Sequence, residues 1–220
     1  MTFFSTIISN VVIIVQELKI MGIDFGKELY SVQESYWIFY KGLRMIKYMV
    51  RTKKNNELSP EFIERIMMAV TEVNGCAVCS YAHTKMALEI GMSNEEVNDM
   101  LAGVMDNIPA DEVEGVMFAQ HYADSRGKPS KEAWKRIVEI YGISKSKGML
   151  GAIRMIMIGN TYGIPCSSFF NRFRGKPDKR SNLLYDISMI ITCIVFASIV
   201  LIHALISDLF RMPIISFERE

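Results

Sequence analysis

The chain has 220 residues and carries 25 Lys and Arg against 24 Asp and Glu, a formal net charge of +1. That balance excludes bulk electrostatic attraction to nucleic acid, and the length suffices for one substantial core with appendages. Half the residues are hydrophobic and only six are Pro, a composition that excludes long disordered stretches. The 16 methionines read as flexible core filler on helices rather than as thioether ligands.

Residues 1–22 contain the apolar run 11–15 but no Lys or Arg before Lys19 and no small-residue cleavage site. The pattern does not fit a secretory signal, and the apolar run 3–15 is too short to span a bilayer. An amphipathic helix packed on the core, on a partner subunit or on a membrane surface is expected there. Residues 28–52 predict a second helix, rich in aromatic residues and ending in Lys47, Arg51, Lys53 and Lys54, charges that suit a helix C-terminus.

Ser59 followed by Pro60 predicts the start of the next helix, with Phe62, Ile66, Ala69, Val70 and Val73 on one side. Asn74-Gly75 is a turn that lets the following helix fold back beside it. That following helix runs to Gly91 as a C-cap. Ser93 and Glu96 form a capping box opening a short helix that ends near Gly103. Pro109 opens another, with Asp111, Glu112 and Glu114 in its first turns, and it carries His121, read as a structural, hydrogen-bonded histidine. Residues 130–141 and 144–158 each show helical spacing, and Gly148, Gly151 and Ala152 predict a close helix contact. Arg154, within an apolar stretch, is expected to meet a carboxylate or an interface. Residues 159–165 break the pattern and are expected to rim a pocket. No hairpin pattern appears, so the fold class is all-α.

The tail has five basic residues (Arg172, Arg174, Lys176, Lys179, Arg180) and then residues 187–206 without Asp, Glu, Lys or Arg. Twenty residues at helical rise match a span of ~30 Å, and the basic cluster would hold the core on the cytoplasmic side. The competing reading is a buried helix in an oligomer. Cys166 and Cys193 lie in apolar surroundings and are expected to be structural.

The chemistry-bearing stretch runs from Glu64 to His83. Cys76 and Cys79 form a C-x-x-C pair, a pattern that zinc sites, redox sites and chance all produce. Here a carboxylate stands twelve positions upstream and a histidine four positions downstream. On one helix, Cys79 and His83 share a face through their i, i+4 spacing, and Cys76 sits one turn earlier. A helix N-terminus favours thiolate through its unpaired N–H groups and positive dipole end. The turn at 74–75 would bring Glu64 near the dithiol as a base or relay group.

This E-x11-C-x-x-C-x3-H string resembles the motif of the alkylhydroperoxidase D and carboxymuconolactone decarboxylase family, in its redox-active branch, over roughly residues 56–175. The resemblance implies an all-α helical bundle core over 56–175, with an N-terminal helical arm (1–55) and a basic linker with a hydrophobic C-terminal helix (176–220). It also implies a thiol-dependent hydroperoxide reductase, in which Cys79 is the peroxidatic thiol, Cys76 the resolving thiol, and Glu64 and His83 the proton relay. Some members carry a further histidine between the cysteines, where this chain has Val78. No cofactor is required. The partners implied are a hydroperoxide, an external dithiol reductant and further copies of the chain. Three alternatives stand beside it. Cys76, Cys79 and His83 could bind a metal, although a structural zinc needs a fourth ligand. The dithiol could serve a non-catalytic membrane-associated redox sensor or a disulfide-exchange protein. Glu64 and His83 could act without the cysteines in lyase or isomerase chemistry.

Overall fold

A computed structural model describes residues 27–215; the helix expected over residues 1–22 lies outside them. Among the described residues there are seven helices and no strand, so the all-α expectation holds. In chain order they are α1 (Val32–Lys54), α2 (Pro60–Asn74), α3 (Ala77–Glu89), α4 (Asn94–Ala102), α5 (Val113–Asp124), α6 (Lys131–Arg172) and α7 (Leu183–Leu209).

Most helix starts follow local capping chemistry. Ser31 caps α1 and Glu34 reaches back to its N–H in a full capping box. Ser59 caps α2 with Pro60 in the first turn, and Gly75 closes it in the left-handed region at φ 65, as a C′ glycine does. Two starts differ. Ser93 accepts from the Glu96 N–H, but the Glu96 carboxylate goes to Arg65 Nε at 2.6 Å, because a buried guanidinium outcompetes the cap. The helix expected from Pro109 begins only at Val113, after a turn closed by Glu112 N–H to Pro109 C=O.

The two helices expected over 130–141 and 144–158 are the limbs of α6, which bends at Gly142 (φ 73, ψ 159). The break expected over 159–165 does not occur: α6 runs through that stretch, with Pro165 inside it. Proline removes one N–H from the ladder; Thr161, whose carbonyl would have accepted it, is buried and gives its hydroxyl to Met157 C=O.

The core lies where α2, α5 and α6 meet around Phe62, Ile66, Tyr122, Met149, Leu150 and Ile153. Residues 32–54, assigned from sequence to an arm, form a helix packed along α6. Gly151 permits that approach, since a Cβ there would sit 2.9 Å from the Met45 carbonyl oxygen. α7 packs on α1 and α6. Tyr185 Oη donates to Tyr30 C=O near its start, and Asp208 pairs with Arg44 and Lys47 at its end.

Candidate functional site: a dithiol at the start of α3

α2 and α3 are joined at Gly75, so the C-terminal half of α2 and the N-terminal half of α3 lie side by side. Cys76 is the N-cap of α3 and Cys79 stands in its first turn. Both thiols are free and buried, Cys76 at 1% exposure and Cys79 at 9%. One turn further on, His83 Nδ1 lies 2.7 Å from Glu64 Oε2. An ionised carboxylate only accepts, so Nδ1 donates and Nε2 is left as the proton acceptor. The four residues singled out by spacing thus gather on two adjacent helices. Glu64, however, meets the histidine rather than a thiol, and among the described residues no hydrogen bond joins His83 to Cys79. No three His, Cys, Asp or Glu side chains among the described residues are grouped as metal ligands.

The two thiols are not equivalent. The Cys76 thiol is drawn below its ordinary range, first by its interaction with the Cys79 thiol. Burial opposes this, while the Cys79 and Val78 N–H groups and the positive charge of Arg180 favour the thiolate. Those N–H groups act through their dipoles at the helix start, without closing a capping hydrogen bond. Cys79 is pushed up, first by its interaction with Cys76, then by burial and by the Cys76 charge. The pair therefore holds its first negative charge on Cys76 and keeps the remaining proton on Cys79.

Two residues that sequence reasoning did not assign to the site shape it. Gly163 of α6 faces the dithiol: a Cβ there would lie 3.0 Å from Cys79 Sγ and 3.1 Å from Cys76 Sγ. The expected pocket rim over 159–165 is instead a helix backed against both sulfurs. Gly163→Ala is expected to displace the thiols by a few tenths of an ångström and slow their reaction about tenfold, since small misplacements of reacting groups cost rate steeply. Stability should fall by about 1–3 kcal/mol. A thiol-loss rate and a melting curve would check both, and a wild-type rate would show that the close backing is not needed.

The second residue is Arg180, from the basic cluster read as a membrane flank. It donates to the carbonyls of Lys27, Asn74 and Gly75 and pairs with Asp178. It thereby fixes the turn that delivers Cys76. Arg172 is likewise engaged, with buried Asp186 at 2.7 Å. Arg174, Lys176 and Lys179 remain exposed.

Arg154 is buried and among the described residues meets no carboxylate: its Nε donates to Tyr122 Oη at 2.9 Å and Nη1 to Ile214 C=O at 3.0 Å. His121 is hydrogen-bonded, accepting from Ser130 N–H at 3.3 Å. Cys166 is exposed and Cys193 half-buried, so Cys166 is not a core residue.

Residues 42–107, from within α1 to just beyond α4, match the model of the carboxymuconolactone decarboxylase family. The matched stretch, under a third of the chain, holds Glu64, both cysteines and His83, and it agrees with the motif's resemblance. No curated protein and no solved structure matches the chain.

Proposed function

We propose that the chain is a dithiol hydroperoxide reductase. The observation that carries this reading is the pair of buried, mutually perturbed thiols at the start of α3 with the His83–Glu64 couple one turn away. The first negative charge of the pair goes to Cys76. His83 Nε2, backed by Glu64, takes the Cys79 proton by way of solvent and exposes the Cys79 thiolate, the more accessible sulfur of the two. That sulfur attacks the O–O bond of a hydroperoxide, giving a Cys79 sulfenic acid, and the departing alkoxide takes the proton held on His83. The Cys76 thiolate then attacks the sulfenic sulfur, hydroxide leaves and is protonated by solvent, and a disulfide forms. An external dithiol reduces it by exchange, so that hydroperoxide and dithiol become alcohol, water and disulfide.

The test is thiol counting on the reduced chain in detergent after addition of an organic hydroperoxide. Loss of two thiols per chain, faster than free cysteine, supports the reading. Inert thiols would move it to sensing or to cysteine-independent chemistry. Glu64→Gln is expected to slow the reaction about 10²-fold and shift its rate profile to higher pH, because hydroxide must then replace the lost relay. An unshifted profile would remove Glu64 from proton transfer.

A second reading has its own observation. A thiolate held on the first cysteine of the pair suits nucleophilic attack on a disulfide. Disulfide exchange through Cys76 predicts that Cys76→Ser loses exchange with a small aromatic disulfide while Cys79→Ser traps a mixed disulfide.

We also propose that α7 holds the core at the cytoplasmic side of a membrane through residues 187–206. Its 27 residues include an 18-residue window of mean hydropathy 2.7 that is only 17% buried. Leu184, Ile194 and Leu205 point outward from the bundle, and exposed patches of this kind mark membrane or protein contacts. Replacing these three by Ser is expected to move the chain from an alkaline-washed membrane pellet to the soluble fraction. A wild-type chain already in the soluble fraction would rule the anchor out, and conversion of a soluble oligomer to a monomer would favour assembly between copies instead.

A further inference from the structure

α1, the 122–128 corner and α6 enclose a cavity of about 320 Å³, lined by Trp37, Ile38, Lys41, Tyr122, Arg126, Lys128, Arg154 and Met157 among others. None of the four motif residues borders it. Its charge is one-sided. Of four cations, Arg126 is matched by Glu34, whose two oxygens receive Nε and Nη2 at 2.9 Å each. Among the described residues no carboxylate pairs with Lys41, Lys128 or Arg154. Arg154 is 2% exposed, and the two partners of its guanidinium are neutral, a phenol and a carbonyl. A buried cation without a counter-charge carries a desolvation cost of several kcal/mol. Lys41 reports the same imbalance. Burial lowers its pKa, and the charges of Arg154 and Lys128 lower it further.

The walls supply the rest of the recognition. Trp37, Ile38 and Met157 give an indole face, a branched aliphatic and a thioether, surfaces that take up an apolar or aromatic body. A cavity near 300 Å³ is at the small end of organic-ligand sites. We propose that this cavity binds a small organic anion, a carboxylate or a phosphate carried on an apolar or aromatic body, with the anionic group among Lys41, Lys128 and Arg154. The occupant would supply the missing counter-charge, and the inference stands whether or not the dithiol reduces peroxides.

The test uses the full chain in detergent and four probes: benzoate, phenyl phosphate, benzyl alcohol and inorganic phosphate. Binding is followed by calorimetry and by Trp37 fluorescence, with Trp37→Phe as the control for the optical signal. Saturable binding of benzoate or phenyl phosphate at one site per chain is expected, and the tighter of the two names the head group. Benzyl alcohol and inorganic phosphate should each bind at least about tenfold more weakly, because each lacks one half of the recognition. Lys41→Gln combined with Lys128→Gln removes two unpaired charges without breaking an ion pair, and should weaken the anion about tenfold or more. Failure of both aromatic anions to bind would overturn the proposal. So would benzyl alcohol binding as tightly as benzoate, or undiminished binding by the folded double variant. Inorganic phosphate binding as tightly as phenyl phosphate would overturn the apolar half of it.

Discussion

Cys79→Ser is expected to abolish peroxide-dependent thiol loss, leaving no more reactivity than a free cysteine shows. Cys76→Ser should behave differently. It retains the attacking sulfur but has no partner to resolve the sulfenic acid, so it should consume about one equivalent of peroxide and stop. The geometry adds a sign to this result. Cys79 is pushed up chiefly by its interaction with Cys76 and by the charge Cys76 carries. Removing Cys76 removes both causes, leaves burial alone, and lowers the Cys79 pKa. The single turnover of Cys76→Ser should therefore begin at lower pH than the wild-type reaction, followed by mass spectrometry of the trapped sulfenic acid. A Cys76→Ser chain that cycles without added thiol would reverse the assignment of the resolving sulfur. Peroxide consumption surviving Cys79→Ser would transfer the attack to Cys76, whose thiolate the helix start already favours.

Arg65→Met is expected to cost about 3–5 kcal/mol of stability near neutral pH, because it strips a buried charge network of its cation. Arg65 follows Glu64 on α2 but faces away from the dithiol network. It reaches Glu96 of α4 and Glu112 at the start of α5 at 2.6 Å each, with the cation 9% and both carboxylates 13% exposed. Burial already raises the Glu112 pKa in the native chain, and Arg65 opposes that rise. A carboxyl whose folded pKa is raised contributes stability that is complete below its unfolded pKa and lost as pH climbs through the folded one. Without Arg65 the Glu112 pKa rises further, so the variant should lose more stability between about pH 5 and 7 than the wild type. Denaturant melts at pH 4.5 and pH 7 would check it. A deficit independent of pH would mean that lost packing, not a stranded carboxylate, sets the cost.

The contrast between the two sites shows what one-dimensional reading reaches. The spacing of Glu64, Cys76, Cys79 and His83 is fixed by helix periodicity and by one glycine turn, so their convergence was legible before any tertiary contact was known. Caps at Ser59 and Ser93 follow for the same reason: each is a local hydrogen bond within three residues. The Arg65–Glu96–Glu112 network spans 31 and 47 positions and has no sequence period to announce it.

Local grounds mislead at residues 159–165 and reach only part of the role of Arg180. Residues 159–165, with two glycines and a proline, resemble a break; packing between α1, α3 and α7 keeps them helical and sets Gly163 against the sulfurs. Arg180 resembles one more charge ahead of an apolar helix, yet its guanidinium reaches back more than 100 positions to the carbonyls of Asn74 and Gly75. By itself, then, the sequence determined an all-α chain, the motif quartet and the apolar C-terminal helix, because short-range spacing and composition encode all three. The tertiary structure decided which thiol holds the charge, what backs and clamps the dithiol, and where unpaired cations gather around a cavity. Each of these depends on burial and on contacts between helices distant in sequence, and neither is written in the local order of residues.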